Sequence, residues 1–217
     1  MTYDPERNRR RSIRLKGYDY TRPGAYFVTI CTQNQECLFG EVVDGEMRLH
    51  QAGHMVQAEW NALPDRFPSV GIDAFVVMPN HVHGIIVMSN DIVGAGLVPA
   101  LNGATTRVAP TIWDLVGAFK SRTTVLYTDG VNQIGWTPFR SRLWQRNYYE
   151  HLIRNESSLN HIRQYILANP LRWAMDRENP NAVEPEPKEA WRPLLLRHKG
   201  SCWDWRTTGA PERCFKP

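Results

Sequence analysis

Two short runs of this sequence carry side chains able to do chemistry. The first is Met78-Pro79-Asn80-His81-Val82-His83-Gly84-Ile85-Ile86-Val87, where apolar β-formers mark a strand. Residues two apart on a strand point to one face, so His81 and His83 stand side by side while Val82 turns to the core. Neutral imidazole is a common ligand for divalent ions, so two ligands of a metal site are preset. A pair of ordinary strand histidines has the same spacing, and a pair alone neither completes a site nor names its metal. The second run is His161-Ile162-Arg163-Gln164-Tyr165-Ile166-Leu167-Ala168-Asn169-Pro170. Residues four apart share a helix face, so Tyr165 and Asn169 project together, opposite the stripe of Leu159, Ile162 and Ile166. A nucleophile and an oxygen ligand could thus meet one ion. The same spacing also suits a tyrosine at a core edge and an asparagine capping the helix. Pro170 disfavours the helical conformation at Asn169, so the helix is expected to end there.

These side chains must be held by a sheet and helices. Ala25 to Thr32 alternates as a strand, and Leu38 to Leu49 reads as a hairpin around Asp44-Gly45. Met55 to Leu63 has helical spacing, closed by Pro64; Ile72 to Met78 and His81 to Met88 read as strands joined at Pro79-Asn80. Ile112, Leu115, Val116 and Phe119 predict a helix from Thr111 to about Tyr127, with Lys120 and Arg122 on its solvated side. A further helix starts at Asn155, a good N-cap, and turns Leu159, Ile162 and Ile166 inward. The class is α+β with an antiparallel sheet. Residues 1–178 are expected to form one domain, and the Pro- and Trp-rich residues 179–217 a C-terminal extension.

Composition narrows the function classes. The 217 residues are 42% hydrophobic with interspersed charge, as in a globular domain. There is no run of about 18 apolar residues and no apolar segment after the basic N-terminus, so neither a spanning helix nor a secretory signal is expected. A cytoplasmic protein without membrane contact is the expectation. Cys31, Cys37, Cys202 and Cys214 show no CxxC spacing, which argues against a zinc knuckle and structural disulfides. The net charge is only +4, but Arg7, Arg9, Arg10, Arg11, Arg14 and Lys16 fall within the first sixteen residues. Such a block suits a polyanion. Lys120, Arg122, Arg146 and Arg154 are further candidates for phosphate contact, and Tyr18 and Tyr20 for stacking on unpaired bases.

Several motifs in order carry a specific resemblance. They are Arg10-Arg11-Ser12-Ile13-Arg14-Leu15-Lys16-Gly17-Tyr18-Asp19-Tyr20, Pro23-Gly24-Ala25-Tyr26-Phe27-Val28-Thr29, Phe75-Val76-Val77-Met78-Pro79-Asn80-His81-Val82-His83, Tyr148-Tyr149-Glu150-His151-Leu152-Ile153-Arg154-Asn155 and Tyr165 to Pro170. Over most of residues 9 to 175 the chain resembles the REP-associated tyrosine transposases, a branch of the single-tyrosine HUH transposases. The resemblance implies a small antiparallel sheet flanked by helices, a ferredoxin-like or RRM-like HUH fold. It implies that His81 and His83 are the HUH pair, Asn169 the third metal ligand and Tyr165 the nucleophile of a metal-dependent DNA endonuclease and strand transferase. The implied cofactor is Mg²⁺ or Mn²⁺, and the implied partners are single-stranded DNA hairpins of palindromic repeats; a monomer or weak homodimer is expected. Tyr148 and Tyr149 compete with Tyr165, but they lie in an apparent strand. Three other readings are kept: a domesticated hairpin-binding protein without transposition, an HUH relaxase or replication initiator, and a histidine-triad phosphohydrolase. The last would want a histidine where Ile85 stands, and relaxases usually need a longer chain.

The resemblance leaves out 94–110 and the tail after Pro180. The first is rich in Gly, Ala and Pro without apolar periodicity, so 93–110 is expected to be an inserted surface loop. Gly94-Ala95-Gly96 can be written with GGGCAGG and Pro99-Ala100-Leu101 with its reverse complement CCTGCCC. Gly103-Ala104-Thr105 and Val108-Ala109-Pro110 can pair likewise. The loop is therefore expected to be a palindromic repeat inserted in frame, and the codons of the gene decide it.

Overall fold

A computed structural model describes residues 23–89 and 110–186. In chain order its elements are β1 (Gly24–Cys31), a 3-10 turn at Gln33–Gln35, β2 (Gly40–Val43), β3 (Glu46–Leu49), α1 (Gln51–Asn61), α2 (Leu63–Arg66), β4 (Val70–Val77), β5 (His81–Met88), α3 (Ile112–Ile134), β6 (Tyr149–Ile153) and α4 (Glu156–Ala168). The last runs on into a 3-10 turn at Pro170–Met175. The basic block Arg9, Arg10, Arg11, Arg14 and Lys16, the tyrosines Tyr18 and Tyr20 and nearly all of the 93–110 loop lie outside the described residues.

The main sheet has the order β4-β5-β1-β6, and every neighbouring pair is antiparallel. Helix α1 lies between β1 and β4 in the chain, and α3 between β5 and β6. Each connection joins parallel strands separated by one antiparallel strand, which is the ferredoxin-like topology. The hairpin β2–β3 is an insertion between β1 and α1. Its turn needs positive φ at both central residues, and Asp44 (53°) and Gly45 (79°) supply it.

The pleat divides the core. Tyr26, Val28, Ile30, Val82 and Ile86 face α1 and α3 and join Val56, Trp60, Leu115 and Phe119. Ala25, Phe27 and Ile85 face the other way and pack under Leu159, Ile162 and Ile166 of α4. Burying each of those three helix residues contributes about 1.5–3 kcal/mol. Asn155 caps α4 by accepting from the Ser158 amide, as expected. Arg163 donates to both carboxylate oxygens of Asp73, at the β4 irregularity between Ile72 and Phe75. A partly exposed pair of this kind is worth about 1 kcal/mol or less. The apolar contacts therefore hold α4 down, and the ion pair sets its rotation.

Three expectations change. Pro64 does not close α1; it occupies the first turn of α2, where a missing N–H costs nothing. Helix α3 runs seven residues beyond Tyr127, from a Thr111–Asp114 capping box to Gly135 in the left-handed region (φ 73°). Helix α4 does end at Ala168 with Asn169 as its C-cap, but Asn169 keeps helical angles (φ −59°, ψ −41°) despite Pro170, and the chain runs on as a 3-10 turn.

Gly84 is the point of closest approach between β5 and α1. A Cβ there would lie 2.2 Å from Cζ2 of the fully buried Trp60. Gly84→Ala is expected to cost about 2–3 kcal/mol through overpacking, and to lower Tm by roughly 5–10 °C. A thermal melt checks this, and an unchanged Tm would refute the close packing of Trp60 on the strand.

Candidate metal and nucleophile site

Period two in β5 places His81 and His83 on the α4 side, opposite Cys31 and Thr29 of β1. Their rings lie 4.5 Å apart, and both are buried (0% and 4% exposed). Asn80 fixes the first ring. Its amide nitrogen donates to the carbonyls of Gln35 (3.0 Å) and Glu178 (2.6 Å), so its oxygen accepts from His81 Nδ1 at 2.8 Å. With the proton on Nδ1, His81 Nε2 is left as a lone pair. Thr29 Oγ1 stands 2.8 Å from His83 Nδ1 and can orient that ring in the same way. Burial pushes His81 down to about 3 and His83 well below the ordinary imidazole value, where His81 adds to the effect and Asp176 opposes it. Both imidazoles are neutral at physiological pH, the form that binds metal.

His81 Nε2 and His83 Nε2 are buried without a hydrogen-bond partner. Buried acceptors left alone call for a cause, and a cation is one that suits lone pairs. Asp176 supplies the complementary charge: Oδ2 is 3.7 Å from His81 Nε2, and ligand atoms of His81, His83 and Asp176 all lie within 4.8 Å of one another. These residues could hold a divalent metal ion. Burial holds the Asp176 carboxyl above its ordinary value, and His83 opposes this.

Tyr165 lies beside the pair. Its ring is 5.4 Å from His83 and 6.1 Å from Phe27, with the Arg172 guanidinium 5.6 Å from its centroid. Tyr165 is thus on the flank of the inward stripe and half-buried, not opposite it, because α4 lies across the sheet and its flanking positions also meet the strands. Burial and then Asp176 hold its hydroxyl well above the ordinary phenol range; Asn169 pulls it partly back. Asn169 is itself buried, and its Oδ1 accepts no hydrogen bond. Of the competing tyrosines, Tyr148 donates to Glu150 Oε2 (2.8 Å), whereas Tyr149 meets Phe27 at 6.2 Å on the α4 side.

The remaining candidates are spread out. Lys120 is not on a solvated side: it is partly buried over the Tyr148 ring and donates to the carbonyls of Gln145 (3.0 Å) and Asn147 (3.2 Å). Burial pushes it down to about 8. Arg122 is exposed and paired with Glu59 (2.9 Å), while Arg146 and Arg154 are exposed at the two ends of β6. Cys31 and Cys37 are free, and burial pushes both thiols up, which disfavours thiolate ligation. Among the described residues no helix is long and apolar enough to cross a membrane. Asp176 and Asn80 join the site beyond the candidates that motif spacing gives. The position of Asn80 directly before His81 was an available hint, but no spacing rule points to Asp176, which lies beyond a proline and a change of helix type.

No family model matches the chain. A solved structure of a REP-associated tyrosine transposase bound to a REP hairpin is similar to it, with TM-score 0.45 and 19% identity over 74% of each chain. A candidate transposase from Deinococcus radiodurans is similar with TM-score 0.37 and 18% identity, over 71% of this chain and 95% of that one. An uncharacterized protein of Haemophilus influenzae is 41% identical over 182 residues, which cover 81% of this chain and 96% of the relative. At that identity over that length, the chain belongs to the same protein family as the Haemophilus influenzae protein.

Proposed function

We propose that the protein is a DNA strand transferase of the single-tyrosine HUH type, acting on single-stranded DNA at hairpin-forming palindromic repeats. The observation that carries this reading is the nucleophile-bearing ring of Tyr165 set 5.4 Å from His83, with both histidine Nε2 atoms buried and unpartnered. The order of the sequence motifs supports it independently. In this reading the catalytic unit is residues 1–178, and the extension begins at 179.

The Tyr165 oxygen attacks the phosphorus of a phosphodiester. The bond to the 3′ oxygen breaks, the phenol proton ends on that leaving oxygen, and a 5′-phosphotyrosine forms. Attack by a second 3′ hydroxyl reverses the step and restores the phenol, so the ester energy is kept, as hydrolysis would not allow. His81, His83 and Asn169 would hold Mg²⁺ or Mn²⁺, which when bound polarises and orients the phosphate. Arg172, stacked at the Tyr165 ring, offsets the local negative charge of Asp176 and Glu186.

The test is incubation of the full chain with a labelled single-stranded hairpin bearing a flanking single strand, with Mn²⁺, followed by a denaturing gel. A downstream fragment joined to the protein through its 5′ phosphate, and a released upstream fragment with a 3′ hydroxyl, are expected; binding without any adduct or cleavage would instead favour the hairpin-binding reading. The arginine-rich N-terminus is proposed to contact DNA, along with the exposed Arg122, Arg146 and Arg154; Lys120, held by the Gln145 and Asn147 carbonyls, drops out of that set. Deleting residues 1–16 should weaken hairpin binding and flatten the plot of log affinity against log salt by about 0.7 for each lost contact to a single strand. An unchanged slope would remove the block from the interface.

A further inference from the structure

We propose that Asp176 is a protein ligand of the divalent ion, so that the site is closed by a strap, residues 176–186, and is not complete on the sheet and α4 alone. This rests on the metal-site reading above.

The strap is positioned by several independent contacts. After the Pro170–Met175 turn, the Asp176 amide donates to Trp173 O (3.1 Å), and the Trp173 ring lies 6.1 Å from that of His81. Asp176 Oδ1 accepts from the Glu178 amide (2.7 Å), which leaves Oδ2 as the oxygen turned to His81. Glu178 is then tied twice: its carbonyl accepts from Asn80 and its side chain from Gln35 Nε2 (2.9 Å). At the far end the Glu186 amide donates to Met175 O (2.9 Å), and its carboxylate pairs with Arg172. Asn80 therefore holds both the His81 ring and the strap that brings Asp176.

The geometry suits a shared ion better than a direct bond. At 3.7 Å, Asp176 Oδ2 and His81 Nε2 are too far apart to hydrogen-bond. Ligand atoms each at about 2.1 Å from one ion stand roughly 3.0–3.4 Å apart in octahedral or tetrahedral arrangements. A small contraction around a cation would bring the set to that spacing. Charge argues the same way. His81, His83 and Asn169 are neutral donors in a buried site, and an uncompensated dication there is unfavourable. Asp176, 8% exposed, places a carboxylate where it can offset half of that charge. A mixed imidazole–carboxylate set also suits Mn²⁺ better than Mg²⁺.

The test uses the full chain and two readouts independent of DNA. Calorimetric titration with Mn²⁺ compares wild type, Asp176→Asn and His81→Ala. Limited trypsin digestion, followed by mass spectrometry, measures cleavage after the exposed Arg177 with and without Mn²⁺. Asp176→Asn keeps the oxygen that accepts from Glu178, so the strap can stay docked while the charge is lost. We expect one Mn²⁺ site in wild type, affinity lowered at least about tenfold in Asp176→Asn, and Mn²⁺-induced slowing of the Arg177 cut in wild type only. The slowing should approach a hundredfold when Mn²⁺ is present at 100 times Kd. Equal Mn²⁺ affinity in Asp176→Asn, with binding lost in His81→Ala, would overturn the Asp176 assignment and leave the histidine site standing. Bound Mn²⁺ that fails to slow the Arg177 cut in wild type would overturn the strap closure. Absence of Mn²⁺ binding in wild type would overturn both this proposal and the metal-site reading.

Discussion

Tyr165→Phe is expected to lose the 5′-phosphotyrosine adduct completely on a denaturing gel while binding the same hairpin within about twofold of wild type. The reason is geometric. The ring makes the contacts with Phe27, His83 and Arg172, and all three survive the substitution. Only the hydroxyl oxygen is removed, and it is the atom that must bond to phosphorus. Removing a nucleophile outright costs on the order of 10⁶ in a well-studied case, so cleavage should fall below detection and not merely slow. The fold should tolerate the change, because the missing hydroxyl lies at the edge of the second core cluster. An adduct at wild-type level would sink the assignment. Tyr149, which meets the same Phe27 ring, is the residue to which peptide mapping would then turn.

His81→Ala and His83→Ala carry the second large effect. Each should reduce both Mn²⁺ affinity and strand cleavage by more than about 100-fold, since changes in groups that merely orient ligands already cost 10–100-fold. Hairpin binding in the presence of a chelator should persist, because no phosphate contact is assigned to either imidazole. Each truncation also opens a cavity and strips Asn80 Oδ1 or Thr29 Oγ1 of its ring partner, which loss of the unpartnered Nε2 offsets only in part. A thermal melt of each variant shows that the loss of cleavage is measured on folded protein. Metal-dependent cleavage at wild-type rate by either variant would dissociate the histidine pair from the chemistry.

Much of the frame could be read from local pattern. Alternation in Ala25 to Thr32 and His81 to Met88 identified the two central strands, and Asp44-Gly45 identified the hairpin turn, because both signals depend on residues close in sequence. The stripe of Leu159, Ile162 and Ile166 with its Asn155 cap located α4 for the same reason. Where local signals competed with tertiary contacts, the reading slipped. Pro170 alone argues for a non-helical Asn169, yet that residue keeps helical angles and leads into a 3-10 turn whose Arg172 and Met175 are held by Glu186. Lys120 sits at a position that looks solvated by helical spacing, but the 145–147 segment folds beside it and accepts its hydrogen bonds through the Gln145 and Asn147 carbonyls.

The candidate site divides along the same line. By itself the sequence determined that His81 and His83 share a face, that Tyr165 and Asn169 lie one helical turn apart, and that a basic block falls within the first sixteen residues. The strand and helix periods that set these relations are properties of the backbone alone. Only the tertiary structure decided that α4 crosses the sheet so as to set Tyr165 beside His83, that Asn80 fixes the tautomer of His81, and that Asp176 reaches the two imidazoles. Those placements depend on contacts between residues as much as 143 positions apart, such as Gln35 with Glu178. No periodicity records them, because the free energy that selects them arises only when separate elements pack.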